Sequence, residues 1–472
     1  MTPKLRRISL WLAPLIAAAV TLLMMHAGWA REGALVGGLT VLCALWWIFE
    51  PIPIPATAMI PLGVFPLLGI LDGKQVAQAY GDPLIILLMG GAMLSKAMEK
   101  SGAHRRLALY MVNLFGGDSQ RRLVVGFMVA SAALSMWVSN TATTLMLLPV
   151  AYAVLQSVNS QGSDSQGANS QAAKKLAVPL FLGIAYAASI GGLGTPIGSP
   201  PNIVFLKIYG EATGAIPSFT QWMLWGLPVV ILLLPLAALW ITRHLGASEL
   251  LQIPQAGAWR SEEARVLVIF FLTALAWITL REPFGGWSQW LNVPSANYAA
   301  VALTSVVLMF VLPNGQGGKL LDWESASTIH WGVLLLFAGG IAIAKAFAVT
   351  GISAAIGESL SGATRLSIII LIAVVALTVT FLTEITSNTA TTTLLMPILA
   401  AASLGAGFDP ALLMLPAALS ASCAFMLPVA TAPNAIVFGT GEITVEQMVR
   451  EGFALNLIGV AVITTVVYFW LG

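Results

Sequence analysis

The chain has 472 residues, of which 58% are hydrophobic and only 9% charged. A soluble domain carries roughly 25% charged residues, so this composition excludes an ordinary water-soluble protein and points to a bilayer. A formal net charge of +2 makes no case for nucleic acid as a partner; the placement of the basic residues matters more.

In chain order, apolar runs predict eleven crossings, at 9–27, 33–49, 55–71, 83–99, 176–208, 221–243, 265–281, 296–312, 331–349, 410–438 and 451–471. The expectation is an all-α polytopic membrane protein. The first run follows Lys4, Arg6 and Arg7 as a signal peptide would. No clear small-residue cleavage site ends it, so it reads as a retained span. Cys43 and Cys423 sit inside apolar runs, where packing explains them better than a disulfide or a metal. The joints at 100–122 and 159–175 are polar. The second, "NSQGSDSQGANSQAAKK", is low in complexity and reads as a flexible loop. His26, His104, His244 and His330 are scattered, with no metal-ligand spacing.

Two stretches stand apart. "SNTATT" occurs at 139–144 and again at 387–392, and each copy leads to a proline, Pro149 or Pro397. Apolar arms at 123–138 and 142–156 flank the first copy, and arms at 366–385 and 390–404 flank the second. Each arm is too short to cross comfortably, so each pair is expected to form a re-entrant hairpin. Arg121 and Arg122 precede the first hairpin, and Lys174 and Lys175 follow it. If basic residues mark the cytoplasm, both of its ends lie there. With the N-terminus inside and both hairpins re-entrant, 16 of the 22 Lys and Arg fall in or beside cytoplasmic joints. The C-terminus then lies outside.

The repetition extends further. "GGAMLSKAMEKSG" at 90–102 matches "GGIAIAKAFAVTG" at 339–351, and "GSPPN" at 198–202 answers "TAPN" at 431–434. With the first span set aside, each half holds five crossings and one hairpin. Five is odd, so the halves must insert with opposite orientation, the inverted-repeat plan of many secondary transporters.

The repeated word has a chemical reading. Ser, Asn and Thr oxygens, with the carbonyls at a helix end, suit a hard cation such as Na⁺; the amides that begin the next helix suit an anion. Back-bonding of Ser and Thr to their own helix would explain one copy. It does not explain two, each followed by a Pro-Asn break: "GGLGTPIGSPPN" at 191–202 and "LPVATAPN" at 427–434. Interruptions at matching places in two halves point to a midplane binding site. Glu384 lies beside the second tip, while Met136 holds the aligned place in the first half. It reads either as a structural acceptor or as a proton carrier. Lys96 and Lys345, repeat partners near span ends, read as snorkelling side chains.

On the doubled Ser-Asn-Thr motif and the paired breaks, nearly the whole chain resembles the divalent anion/sodium symporters, the INDY-type di- and tricarboxylate transporters. The resemblance implies eleven spans plus two opposed hairpins, in a homodimer within the bilayer. Residues 1–122 and 246–365 would form a scaffold. Residues 123–245 and 366–472 would form a transport domain that slides like an elevator. Carried over by position, one sodium site uses Ser135, Ser139 and Asn140 with the backbone of Gly198. The other uses Asn388 with backbone around Thr383, Thr386 and Ala430. Substrate carboxylates would meet Asn140, Thr141, Asn388 and Thr389, with Ser199 and Thr431 completing the pocket. Ser199 stands where family members often have Thr, which widens the pocket, and Ala432 where many have Pro.

The expected function is sodium-coupled uptake of a small dianion, a four-carbon dicarboxylate such as succinate, malate or fumarate. Na⁺ is the coupling ion, no organic cofactor is expected, and the setting is a bacterial-type inner membrane. Neither tip carries Arg or Lys, so helix amides and co-bound Na⁺ must neutralise the anion. A sodium-independent dicarboxylate exchanger or a sulfate transporter of the same fold stands as the alternative. An intramembrane enzyme is more distant. It would need a nucleophile with its base, or a metal set. The chain has no Gly-x-Ser-x-Gly, no His-Glu-x-x-His and no His in either hairpin.

Overall fold

A computed structural model describes residues 3–115, 119–160, 166–245, 257–360 and 367–471. Its first half runs α1 (Pro3–His26), α2 (Arg31–Phe49), α3 (Ile54–Leu67), α4 (Gly73–Tyr80), α5 (Pro83–Ser101), α6 (Ala103–Phe115), α7 (Gln120–Ser135), α8 (Asn140–Ser160), α9 (Gln166–Gly191), α10 (Pro200–Thr213) and α11 (Phe219–Thr242). Its second half runs α12 (Ser261–Ile278), α13 (Gly286–Trp290), α14 (Tyr298–Val311), α15 (Trp323–Ala326), α16 (Trp331–Val349), α17 (Ile352–Leu360), α18 (Ile368–Thr383), α19 (Asn388–Gly405), α20 (Ala411–Ala421), α21 (Ala432–Phe438) and α22 (Val445–Leu471). No strand occurs among the described residues.

Local chemistry sets many of these boundaries. Asp72 and Gln75 form a reciprocal capping box that starts α4. Asp82 accepts from the Leu84 amide and Pro83 occupies the first turn, which starts α5. Gly102 then ends α5 in the left-handed region, at φ 75°. By length and composition, six helices among the described residues can cross a membrane, including Lys4–His26, Phe219–Thr242 and Val445–Leu471. On α1, Trp11, Leu15, Leu22 and Leu23 are exposed while Ala13 and Ala17 are buried. In water that face would be a liability; in lipid it is a requirement.

Several expectations need correction. The joint at 100–122 contains a helix, α6, and its counterpart α17 follows α16 in the second half. Of the expected loop at 159–175, residues 161–165 lie outside the described residues, but α9 already begins at Gln166. Ala, Gln and Lys are good helix formers and need no apolar period to extend a helix into water. The run at 55–71 stops as a helix at Leu67. Cys43 and Cys423 are buried free thiols.

Packing sorts the helices. Both α7 and α8 lie against α9, and both α18 and α19 lie against α20. A second group joins α5 to α12 and α14, and α3 to α16. Lys207 on α10 reaches across, pairing with Asp82 at 2.6 Å and with Glu211 at 3.0 Å. The α7–α9 contact is intimate, since a Cβ on Gly191 would lie 2.1 Å from the carbonyl oxygen of Ala132. Only glycine fits there.

Candidate functional site

The two hairpin tips are built alike. α7 ends at Ser135 and α8 starts at Asn140; α18 ends at Thr383 and α19 starts at Asn388. The Ser135 hydroxyl donates to Asn140 Oδ1 at 2.5 Å, and the Thr383 hydroxyl donates to Asn388 Oδ1 at 2.5 Å. One turn on, the hydroxyls of Thr144 and Thr392 donate to the carbonyls of Asn140 and Asn388, each at 2.8 Å. Ser139 and Ser387 accept from the amides of Ala142 and Ala390, as N-caps do. Back-bonding is therefore present, yet it leaves both asparagine side chains pointed at a hydroxyl from the arm before them.

The expected breaks are real. Between Gly191 and Pro200, and between Ala421 and Ala432, the chain leaves the α-helix. Thr195 closes the first break onto the first tip, its hydroxyl donating to the carbonyl of Met136. A Cβ on Gly192 would lie 2.9 Å from the Gly198 carbonyl oxygen and 3.0 Å from Asn140 Oδ1. Those two oxygens and the Ser135 hydroxyl thus gather at one point, a donor set of the kind a hard cation takes. The sequence reading had named all three but not Gly192, whose missing side chain makes the room.

The second break is held differently. Glu384, 3% exposed, accepts from the amides of Phe425 at 2.8 Å, Met426 at 2.9 Å and Leu427 at 3.0 Å. Its Oε1 also accepts from Asn456 Nδ2 at 2.7 Å. Of the two readings left open, the structural acceptor is the one this geometry fits. The first half needs no such acceptor because its Gly191–Gly194 stretch turns on itself, the amide of Gly194 donating to the carbonyl of Gly191.

Both tips and both breaks line one cavity of 1170 Å³. Ser139, Asn140 and Thr141 face it from one tip, and Thr386, Asn388 and Thr389 from the other. Gly198, Ser199, Ala430 and Thr431 supply the walls between. Ser135 and Thr383 are fully buried behind the asparagines. The Thr386 hydroxyl is engaged with Leu382 O and Thr391 Oγ1. Ser199 shares a 2.8 Å hydrogen bond with Ser422, a partner that nothing in the sequence signalled. Thr431 caps α21, accepting from the Asn434 amide at 3.2 Å.

The polar rim of the cavity holds His330 and two ion pairs. Arg6 pairs with Glu50 at 3.5 Å and Lys96 with Glu99 at 2.8 Å. Lys96 belongs to this rim rather than to a lipid boundary, while Lys345 donates to Gln78 at 3.2 Å. Neither tip itself contains Lys or Arg.

A family model described as the sodium:sulfate symporter transmembrane region matches residues 5–471. The chain is 39% identical over 477 residues to the sodium-dependent dicarboxylate transporter SdcS of Staphylococcus saprophyticus, covering 98% of this chain and 91% of the relative. The SdcS of Staphylococcus aureus is 40% identical over 479 residues, covering 98% and 90%. Among solved structures, the chain is similar to the YdaH transporter of Alcanivorax borkumensis. The TM-score is 0.57 at 16% identity, over 86% of this chain and 89% of that one. MtrF of Neisseria gonorrhoeae gives a TM-score of 0.56 at 13% identity, over 87% and 84%. At such identities the likeness concerns fold alone. The family model and the near full-length relatives agree with the doubled motif, and the chain belongs to the divalent anion/sodium symporter family as an integral, multi-pass membrane transporter.

Proposed function

We propose that the protein is a secondary active transporter that couples Na⁺ to the movement of a small dicarboxylate of the succinate, malate and fumarate class. The observation that carries this reading is the convergence of two Ser-Asn-Thr tips and two broken spans on one cavity. The names of the SdcS relatives support both the ion and the substrate class. In this reading Ser135, Ser139, Asn140 and the Gly198 carbonyl hold one Na⁺. Asn388, with the backbone of Thr383, Thr386 and Ala430, holds the other. The Asn140 and Asn388 amides, the Thr141 and Thr389 hydroxyls, Ser199 and Thr431 receive the carboxylates. With every rim charge matched and no cation at the tips, a dianion is left with helix-start amides and bound Na⁺ as its positive partners.

The reading includes two opposed re-entrant hairpins in an inverted repeat, with the N-terminus cytoplasmic. It also includes a homodimer in a bacterial-type inner membrane and an elevator motion of 123–245 with 366–472 against 1–122 with 246–365. Within it, α7 and α8 pack on α9 and α18 and α19 on α20, while α6 lies against α7 and α17 against α19 across the proposed boundary. Purified protein in liposomes tests the function. Labelled succinate should accumulate when Na⁺ is outside and stop when choline replaces it. Equal uptake in choline would make the protein an exchanger; inhibition by sulfate but not by malate would make it a sulfate carrier.

A further inference from the structure

The two breaks are closed by the same clasp. Asn202 Nδ2 donates to the carbonyl of Gly192 at 2.9 Å and to that of Thr195 at 2.7 Å. Asn434 Nδ2 donates to the carbonyl of Ala424 at 3.0 Å and to that of Leu427 at 3.1 Å. Each member of the second set stands 232 places after its counterpart, and so does Ala430 after Gly198. Both asparagines are fully buried. Because both partners of each are carbonyl oxygens, only the NH₂ end can face them, and the amide orientation is fixed. In each case Oδ1 finds no hydrogen-bond partner among the described residues. A buried, unpaired carbonyl is costly, and the fold carries that cost twice at equivalent places. The two donors on the other side of the amide must therefore matter in both halves.

Their effect is to sort carbonyls. An unwound span releases backbone oxygens from the helical ladder, and each needs a destination. Asn202 takes those of Gly192 and Thr195. The oxygen of Gly198 is left beside Asn140 Oδ1, both crowding the same side of Gly192. We propose that Asn202 and Asn434 are positioning residues for cation binding, each holding its break in the one shape that presents the carbonyl of Gly198 or Ala430 to the ion beside Asn140 or Asn388. This rests on the sodium-coupled reading above. Neither asparagine touches the ion, and neither belongs to the tips.

The test uses Asn202→Leu and Asn434→Leu, which keep the volume and remove both donors without adding charge. Succinate uptake into liposomes is measured over a range of Na⁺, and again with Li⁺, for the wild type and each variant. The half-saturating Na⁺ concentration should rise about 10–100-fold in each variant, as when a ligand's supporting contact is lost. The maximal rate at saturating Na⁺ should recover toward wild type, and the Li⁺/Na⁺ preference should change. A merely structural role would lower the maximal rate through loss of folded protein, leaving half-saturation and ion preference alone; that result overturns the proposal. Should leucine prevent folding, Asn202→Ser and Asn434→Ser keep a single short donor. Unchanged Na⁺ half-saturation in those variants overturns the proposal equally. If the wild type itself ignores Na⁺, the symport reading fails first and takes this inference with it.

Discussion

At the scale of single residues, each tip asparagine offers one oxygen to a cation and one NH₂ to an anion. Asn140→Asp and Asn388→Asp keep the oxygen but turn the anion-facing donor into a negative charge. Succinate binding should collapse in both variants while Na⁺ binding is kept or strengthened, as calorimetry on the purified proteins would read. Thr141→Ala should cost about 1–3 kcal/mol of succinate binding, roughly tenfold and upward in affinity, and barely touch Na⁺. Thr389→Ala should show the same pattern, with a loss at least as large, because Thr389 is buried and Thr141 only half-buried. Gly192→Ala acts from outside the motif. Its methyl group would press on Gly198 O and Asn140 Oδ1, so the half-saturating Na⁺ should rise with no change in any ligand. The tip residues were legible because their word is repeated. Gly192 and Ser422 were not, since proximity across a break is a property of the folded loop rather than of spacing.

At the scale of elements, what the sequence announces is apolar length and its interruption. The span at 331–349 coincides with α16, and the arms expected to end at 385 and 404 end as α18 at Thr383 and α19 at Gly405. The amphipathic α6 was hidden because His104, Arg105 and Arg106 made its stretch read as a joint. In the fold His104 and Arg106 are buried, and Arg106 pairs with Glu263 at 2.8 Å. Polarity marked a surface in the sequence; a partner 157 residues away removed it. The second break offers a test at this scale. Glu384→Gln replaces one acceptor oxygen by an NH₂ that would face amides, so thermal stability in detergent should fall by about 1–3 kcal/mol. Cysteines at Ser119 and Lys175 should label from one side of intact cells and a cysteine at Ser367 from the other. Labelling of the first two from opposite faces would refute the first re-entrant hairpin.

At the scale of the whole molecule, the proposed function puts two ligands of opposite charge in one cavity, and their affinities must then be linked. If Na⁺ neutralises part of the dianion's field, Na⁺ raises succinate affinity by some factor, and succinate raises Na⁺ affinity by the same factor. Titrating each ligand in the presence and absence of the other measures both arms; unequal factors would mean that a third species takes part. The convergence of four distant segments on one chamber could be anticipated from the internal repetition. The matched charges of its rim could not, because Arg6 meets Glu50 only once α1 and α2 have folded back on each other, 44 residues apart in sequence.

Among the contacts that join the proposed transport and scaffold parts is an ion pair at the start of α5, the end away from Lys96 and Glu99: Lys207, on the second piece of the first broken span, is held between Asp82 and Glu211. Under the proposed sliding motion it is a strut across a moving seam. Opposite charges drawn apart in hydrocarbon would meet a prohibitive barrier, so the seam there must admit water during each stroke. The strut then governs the tempo of the cycle rather than its thermodynamics. Lys207→Met should alter the rate of succinate exchange across liposomes while equilibrium affinities for Na⁺ and succinate stay put.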